Sequence, residues 1–493
     1  MNSKSNISDN KQSFYLALGQ IIALLANFVI PIFLTRVLLK EEYGFYSQFN
    51  AVLFFLTGLF TFDIGTNLYY YYPTSENHKK KIIVFQTFVF MVCFSLLSAL
   101  FIYIPVISNF ILGTDELQQY KIIIYLLTIV LVITGIIQPL MVVKKDTKVS
   151  LWFPVLQVLL KALLIILFFL IIPGIQSIIN SIIVSSVLIM MIVLHYVSKT
   201  IKELPGDKLT DKKTAIAQLR YNLPLSAALS LKLISVRFDK LISISFLSAA
   251  SYASYSVAFF GIPGLHQIYS SISQVTVINM TKSFNAGDKK GALKQYKTMV
   301  VKTLSFSVPI VLIVMLFAKT IIIFLFTEKY TDATLIFRMY LFSVFFVMLD
   351  EGLVLRASGH TNFYTKAYLI TAPVVIPATY FLVKYFGSFG AMSGALLSII
   401  LPRLYLIGKE KHVFNVTLFH FFPWKEIGLI FFISVLFLLP LVFLSIVIEV
   451  NIIMVVLVSL VYLTGVYIFE ISRDVFIIDK VKALQLRMKY FKF

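Results

Sequence analysis

The chain has 493 residues, 59% of them hydrophobic and only 13% charged, whereas soluble domains carry about 25% charged residues. That balance excludes a soluble globular protein and indicates an integral membrane protein. The formal net charge is +20, and the single cysteine, Cys93, excludes both an intrachain disulfide framework and a cysteine-based metal cluster.

A membrane-crossing helix needs about 20 apolar residues. The polar segment Met1–Ser13 precedes an apolar run, 14–39, that exceeds a signal-peptide core and has no small-residue cleavage site after it, so it reads as a retained first span. Further spans are expected at 46–72, 82–108, 120–143, 149–172, 177–198, 220–247, 253–279, 298–318, 333–356, 364–386, 390–407, 426–447 and 451–470. The predicted fold is all-α and polytopic, with about fourteen transmembrane helices and both termini on one side.

The loops sort by charge. One set is basic: Lys79–Lys81, Lys144 to Lys148, Lys199 to Lys213, Lys282 to Lys297, and Lys409 with Lys411. The other is short and acidic, with Glu41, Glu42, Asp115, Glu116, Glu328, Asp332 and Glu449. This alternation assigns the basic side and both termini to the cytoplasm, and it argues against nucleic acid as the partner of the positive charge. The tail 471–493, with Arg473, Lys480, Lys482, Arg487, Lys489 and Lys492, reads as a basic amphipathic helix on anionic headgroups or as a plain topology signal.

A weak duplication runs through the chain. Tyr43-Gly-Phe-Tyr46-Ser47 follows the first span and Tyr252-Ala-Ser-Tyr255-Ser256 the seventh. An offset of 214 residues aligns Phe110-Ile-Leu112 with Phe324-Leu-Phe326, and Pro173-Gly-Ile-Gln176 with Gly387-Ser-Phe-Gly390. The expected organisation is an N-lobe of six spans (1–198), a cytoplasmic linker (199–219) containing Pro205-Gly206-Asp207, and a C-lobe of six spans (220–407). Two extra helices (408–470) and the basic tail (471–493) complete it. An even number of spans per repeat relates the lobes by a pseudo-two-fold axis along the membrane normal, as in rocking transporters.

Charges inside the spans are the chemical signal. Lys161 is the only charge in 149–172 and has no chain neighbour to neutralise it except, across the lobe, Asp63. A lysine there costs about 2.5–3.5 kcal/mol on insertion scales, so it normally faces a polar cavity. The seventh span carries Lys232, Arg237, Asp239 and Lys240. Lys232 and Asp239 are two helical turns, about 10 Å, apart, which leaves Lys232 able to meet a diphosphate. Arg237 and Lys240 either do the same or snorkel to the outer surface. Arg36 ends the first span and Arg220 opens the seventh, each as a substrate contact or an interfacial anchor. Asp63, near Gly65 and Asn67, is a candidate for ion coupling or for pairing with an N-lobe lysine. Asp239 joins it as a charged partner on the seventh span, and Asp350 and Glu351, with Arg356 beyond, read as a gate. Breakers interrupt equivalent segments: Asn27 and Pro31 in span one, Gly58 and Gly65 in span two, and Gly261, Pro263 and Gly264 before His266 in span eight. Paired interruptions point to a transporter's binding region, or to close packing through small residues.

In this light the chain resembles the bacterial polysaccharide transporters of the oligosaccharidyl-lipid flippase (Wzx-like) type, within the multidrug/oligosaccharidyl-lipid/polysaccharide exporter (MOP) superfamily. The carriers of the resemblance are Leu34-Thr-Arg36 through Glu41-Glu42-Tyr43-Gly44-Phe-Tyr46, Arg220-Tyr-Asn-Leu-Pro224, Phe238-Asp239-Lys240, Tyr252-Ala-Ser-Tyr-Ser256-Val-Ala258 and Phe284-Asn-Ala-Gly287-Asp288. The resemblance implies flipping of an undecaprenyl-diphosphate-linked oligosaccharide from the cytoplasmic to the outer leaflet of the bacterial inner membrane. It also implies a central cationic cavity and a lipid-tail groove lined by the last two spans. The bilayer is a partner, and the polysaccharide polymerase and glycosyltransferases of the same route are further expected ones. No cofactor is expected, and no enzymatic activity. The chain departs from peptidoglycan-precursor flippases at span two, where Asp63 and the run Tyr69–Tyr72 stand in place of basic residues. A drug or cation antiporter of the same superfamily is the nearest alternative, although the interior leans basic. A membrane glycosyltransferase or polymerase would need an outer acidic pair; Glu41-Glu42 imitates one but reads as a tight turn between helices. No phosphate-binding glycine loop or metal-ligand cluster is present.

Overall fold

The computed structural model describes residues 2–349, 352–447 and 451–472. Among them the regular elements are all helices. Lipid offers the backbone no hydrogen-bond partner, and a helix satisfies its own N–H and C=O groups within one segment. The chain divides into two compact units, Met1–Ala253 with Val383–Ser388, and Ser254–Leu382 with Phe389–Phe493.

The first unit holds α1 (Asn2–Val37), α2 (Lys40–Phe60), α3 (Thr66–Thr74), α4 (Asn77–Tyr103), α5 (Pro105–Leu112) and α6 (Asp115–Gln119). It continues with α7 (Lys121–Thr134), α8 (Ile137–Val143), α9 (Thr147–Ile171), α10 (Ile175–Glu203) and α11 (Lys212–Phe246). The helix α12 (Ala249–Ala258) leads into the second unit. That unit contains α13 (Leu265–Asn285), α14 (Lys289–Leu316), α15 (Ala318–Phe326), α16 (Ala333–Leu349), α17 (Leu353–Ala357), α18 (Asn362–Phe414, apart from its stretch Val383–Ser388), α19 (Leu418–Phe421), α20 (Trp424–Val447) and α21 (Ile452–Ser472). Ten helices among the described residues are long and apolar enough to cross a membrane. One of them, the 53-residue α18, kinks at Gly387 (φ 56°) and so covers two expected spans. The expected spans 46–72 and 253–279 are each realised as a broken pair, α2 with α3 and α12 with α13. The protein is therefore an all-α, multi-pass membrane protein. The basic tail from Arg473 onward, with Asp350, Glu351 and Glu449, lies outside the described residues.

One local expectation needs correction. Glu41-Glu42-Tyr43-Gly44 is not the turn between helices but the first turn of α2; the chain reverses at Leu38–Leu39. The Glu42 carboxylate accepts the Leu39 N–H at 2.9 Å, and both glutamates sit where the helix dipole favours negative charge. Gly44 is fixed by packing: a Cβ there would lie 1.9 Å from the Ala249 carbonyl oxygen, so the α2 start and the α12 start touch backbone to backbone. The helix that carries the expected seventh span extends beyond its expected start at Arg220. α11 begins eight positions earlier at Lys212, with the Asp211 side chain accepting the Thr214 N–H at 2.9 Å and the Thr214 hydroxyl at 2.6 Å. Of the segment 199–219, only 204–211 lies outside helices.

Within the first unit, α11 is fastened to the helices before it. Tyr71 donates to the Ala217 carbonyl at 3.0 Å, Gln218 donates to Thr87 Oγ1 at 3.2 Å, and Gln86 donates to the Asp211 carbonyl at 2.8 Å. In the second unit, Tyr296 of α14 stacks on Phe421 at 4.6 Å, and Tyr467 of α21 donates to the Phe306 carbonyl at 3.2 Å. These contacts hold α19 and α21 against α14.

Candidate functional site

The first unit encloses a cavity of about 270 Å³ among α1, α2, α7, α9 and α10. Lys161 of α9 is the one ionisable residue lining it. Its other polar walls are neutral: Asn27, Asn50, Thr134, Gln157, Ser185 and Ser186. Helix α9 reaches this position because it packs along α1, where Gly19 lets the two backbones meet; a Cβ there would stand 2.6 Å from the Leu151 carbonyl oxygen. Gln157 and Lys161 are one helical turn apart and so share a face. Lys161 is half-buried, and no carboxylate among the described residues acts on it. The pairing with Asp63 across the lobe is not formed. A second cavity of about 320 Å³ shares Phe54, Leu131, Thr134 and Gln157 with the first and adds Gln20, Thr57 and Gln138. Together they form a crevice along α9 with mainly apolar walls, several neutral polar groups and one lysine.

Asp63 sits at a break instead of within a continuous span. Phe62 (φ 45°) and Asp63 (φ 46°) both adopt the left-handed conformation between α2 and α3. Such a break at membrane depth requires partners for the freed carbonyls. α11 supplies them: Asn222 donates to the Asp63 carbonyl and to Thr66 Oγ1, each at 3.1 Å, and the Ser226 hydroxyl reaches the Phe62 carbonyl. Ser226 Oγ also lies 2.8 Å from Asn222 Oδ1. Asp63 itself is half-buried beside Tyr69.

The seventh-span charges all lie on α11. Lys232 is half-buried, Arg237 is exposed, and Asp239 is buried (3% exposed). Lys240 lies beside Arg237 and Asp239, and Tyr252 lies close enough to both of the latter to feel their charges. α11 contributes no residue to the Lys161 cavity, so Lys161 and Lys232 do not share one chamber within this unit. Arg36 is exposed at the end of α1, and Arg220 is exposed on α11. Next to Arg220, the Tyr221 ring stacks on Tyr70 at 4.7 Å and meets Tyr71 edge-on at 5.8 Å. Both candidate gate residues, Asp350 and Glu351, are among the positions not described.

Other functional-looking groups escaped sequence reasoning. Glu410 of α18 is fully buried and accepts the Val354 N–H at 2.9 Å and the Leu355 N–H at 3.4 Å, capping α17. Glu470 of α21 is also fully buried; Ser305 of α14 lies close, but neither carboxylate oxygen reaches a hydrogen-bond partner among the described residues. The in-register glutamine one turn before Lys161 was a readable signal for the polar face of α9. The two glutamates gave none, since each falls at or just past the end of an expected span.

The chain is similar in fold to the lipid II flippase MurJ in an inward closed conformation, with a TM-score of 0.70, 18% identity, and 94% of this chain and 99% of that one covered. It is also similar to an inward-facing multidrug resistance transporter of the MATE family (TM-score 0.62, 13% identity, 82% and 98% covered). A MOP superfamily transporter from Pyrococcus furiosus is a further likeness (TM-score 0.54, 12% identity, 83% and 95% covered). At these identities the likeness concerns the fold. Comparison with curated proteins gives no match. The family profile described as "Polysaccharide biosynthesis protein" matches residues 10–282, more than half of the chain. With the fold of the MOP transporters and that profile match, the chain belongs to the polysaccharide biosynthesis protein family.

Proposed function

We propose that the protein flips a polyprenyl-diphosphate-linked oligosaccharide from the cytoplasmic to the outer leaflet of the bacterial inner membrane, in the service of surface-polysaccharide assembly. The observation that carries this reading is the Lys161 cavity: neutral hydrogen-bonding walls and one ionisable group, which is positive. A membrane cavity of that kind favours an anionic cargo over a cationic drug. Lys232, Arg237 and Lys240 on α11 are the next cations offered to the diphosphate, with Arg36 and Arg220 at the span ends. Asp63 and Asp239 are proposed for coupling or gating. The two halves expected from the duplication alternate between inward and outward access, while the lipid tail remains in the bilayer. The glycan partners are the glycosyltransferases that build the cargo and the polymerase that consumes it; the protein itself catalyses no bond change.

Proteoliposomes test the reading. The purified chain should move a fluorescent polyprenyl-diphosphate-linked oligosaccharide between leaflets and should not concentrate a cationic dye. Dye accumulation without glycolipid movement would replace the flippase reading with that of an antiporter.

A further inference from the structure

A third, larger cavity lies within the second unit, about 860 Å³ in volume; of the candidate-site residues discussed above it takes in Arg356, named beside the expected gate pair. It forms where three chain segments converge at the lysine-rich end of the helices. The end of α13 supplies Phe284, and the first residue of α14 is Lys289. α17 and the turn after it supply Arg356 and His360, and the end of α18 supplies Lys409 and His412. Two lysines, one arginine and two imidazoles thus face one space, and no acidic residue lines it among the described residues. Like charges that converge on one space repel one another, and a bound anion lowers that cost.

The walls are held in place by the fold. The buried Glu410 caps α17 and thereby sets the direction from which Arg356 arrives. The His360 N–H donates to the Leu355 carbonyl at 2.8 Å, and its Nδ1 lies 3.0 Å from Ser358 Oγ. The Lys409 ammonium rests over the rings of Phe363 at 5.6 Å and Tyr405 at 5.5 Å. That contact fixes the lysine stem without neutralising its charge. Aromatic faces beside the cations also leave room for an organic part of the ligand.

We propose that this cavity is a binding site for a phosphate-bearing ligand on the cytoplasmic side of the membrane. Guanidinium and ammonium donors together are the usual complement of phosphate oxygens, and the volume falls within the range of about 300–1,000 Å³ typical of small-ligand sites. The phosphate belongs either to a soluble phosphoanion or to the headgroup of an anionic lipid of the inner leaflet. The inference does not depend on the transport reading, because none of its residues takes part in that reading.

The test uses the full chain in nanodiscs of zwitterionic lipid. Inorganic pyrophosphate is titrated calorimetrically, and retention of phosphatidic acid against phosphatidylcholine is measured by native mass spectrometry. Both are repeated in Lys289→Gln/Lys409→Gln, and in Lys161→Ala/Lys232→Ala to remove any contribution of the mid-span cations. Pyrophosphate binding that weakens at least tenfold in the first variant alone identifies the soluble source. Selective loss of phosphatidic acid in the first variant alone identifies the lipid source. Lys409→Arg, which keeps the charge, should bind as the unaltered chain does. If the double variant fails to fold, the exposed single change Lys289→Gln provides the same comparison. Failure of both probes to bind the unaltered chain overturns the proposal, as does unchanged binding in the lysine variants or loss only in Lys161→Ala/Lys232→Ala.

Discussion

Replacing Lys161 with methionine should move stability and transport in opposite directions. Methionine keeps an unbranched side chain of similar length while removing the charge. A lysine in the middle of a span carries an insertion cost of about 2.5–3.5 kcal/mol. Gln157, Asn27 and Asn50 around the same cavity offset part of that cost, so the variant should gain stability by about 1–2 kcal/mol. If Lys161 donates to a diphosphate during transport, its loss removes a charge-assisted hydrogen bond worth about 1.5–3 kcal/mol. That corresponds to a roughly 10- to 150-fold slower flipping rate. Thermal unfolding in nanodiscs and leaflet exchange in proteoliposomes read the two quantities on the same preparation. Lys161→Arg should retain most of the rate. A Lys161→Met protein that melts earlier and flips at the unaltered rate would show that the cation holds the helices together and does not meet cargo.

The break between α2 and α3 yields a coupled pair of predictions. Asn222→Ala and Ser226→Ala each leave a buried carbonyl without its donor and should lower stability by about 1–3 kcal/mol. Because the two side chains also touch each other at 2.8 Å, a double-mutant cycle should show non-additive loss, measured by thermal unfolding. Gly44→Ala forces a Cβ onto the Ala249 carbonyl, and should reduce stability by about 1–3 kcal/mol or more, read as a lower melting temperature and poorer recovery from the membrane. The hydroxyl and N–H of Thr214 hold the Asp211 carboxyl below the usual carboxylate range. Its cap on α11 is therefore complete near neutral pH and lost as the pH falls through the acid range. Asp211→Ala should lower the melting temperature at pH 7 and flatten the part of the acid-destabilisation curve that this carboxylate contributes.

The long helices were legible because lipid imposes long apolar runs. Lys161 was legible for the same reason: one lysine in an otherwise apolar run stands out without any knowledge of packing. Its cavity was not, because Asn27, Asn50, Thr134 and Ser185 come from four other helices and carry no shared spacing. The break at Phe62–Asp63 was hinted at by Gly58 and Gly65 but falls between them. It depends on Asn222, 159 residues downstream, satisfying the Asp63 carbonyl, and no local propensity encodes that distance. The turn assigned to Glu41-Glu42-Tyr43-Gly44 failed for a related reason. Glycine suggested a turn, whereas here it serves a backbone contact with Ala249. The basic cavity of the second unit escaped notice because its lysines fell in segments expected to be loops, where the alternation of charge already offered a reason for them, whereas Lys289 and Lys409 lie in α14 and α18.

Cargo affinity measured by native mass spectrometry bears on the cationic-cavity reading without the complications of coupling or leaflet sidedness. A polyprenyl-diphosphate-linked oligosaccharide is compared with the same glycan on an uncharged polyprenol, for the unaltered chain and for Lys161→Ala/Lys232→Ala. The expected result is at least tenfold tighter binding of the diphosphate form, with that preference lost in the variant. Equal affinity for both lipids, or an undiminished preference in the variant, would mean that these mid-span lysines do not recognise the anionic group of the cargo.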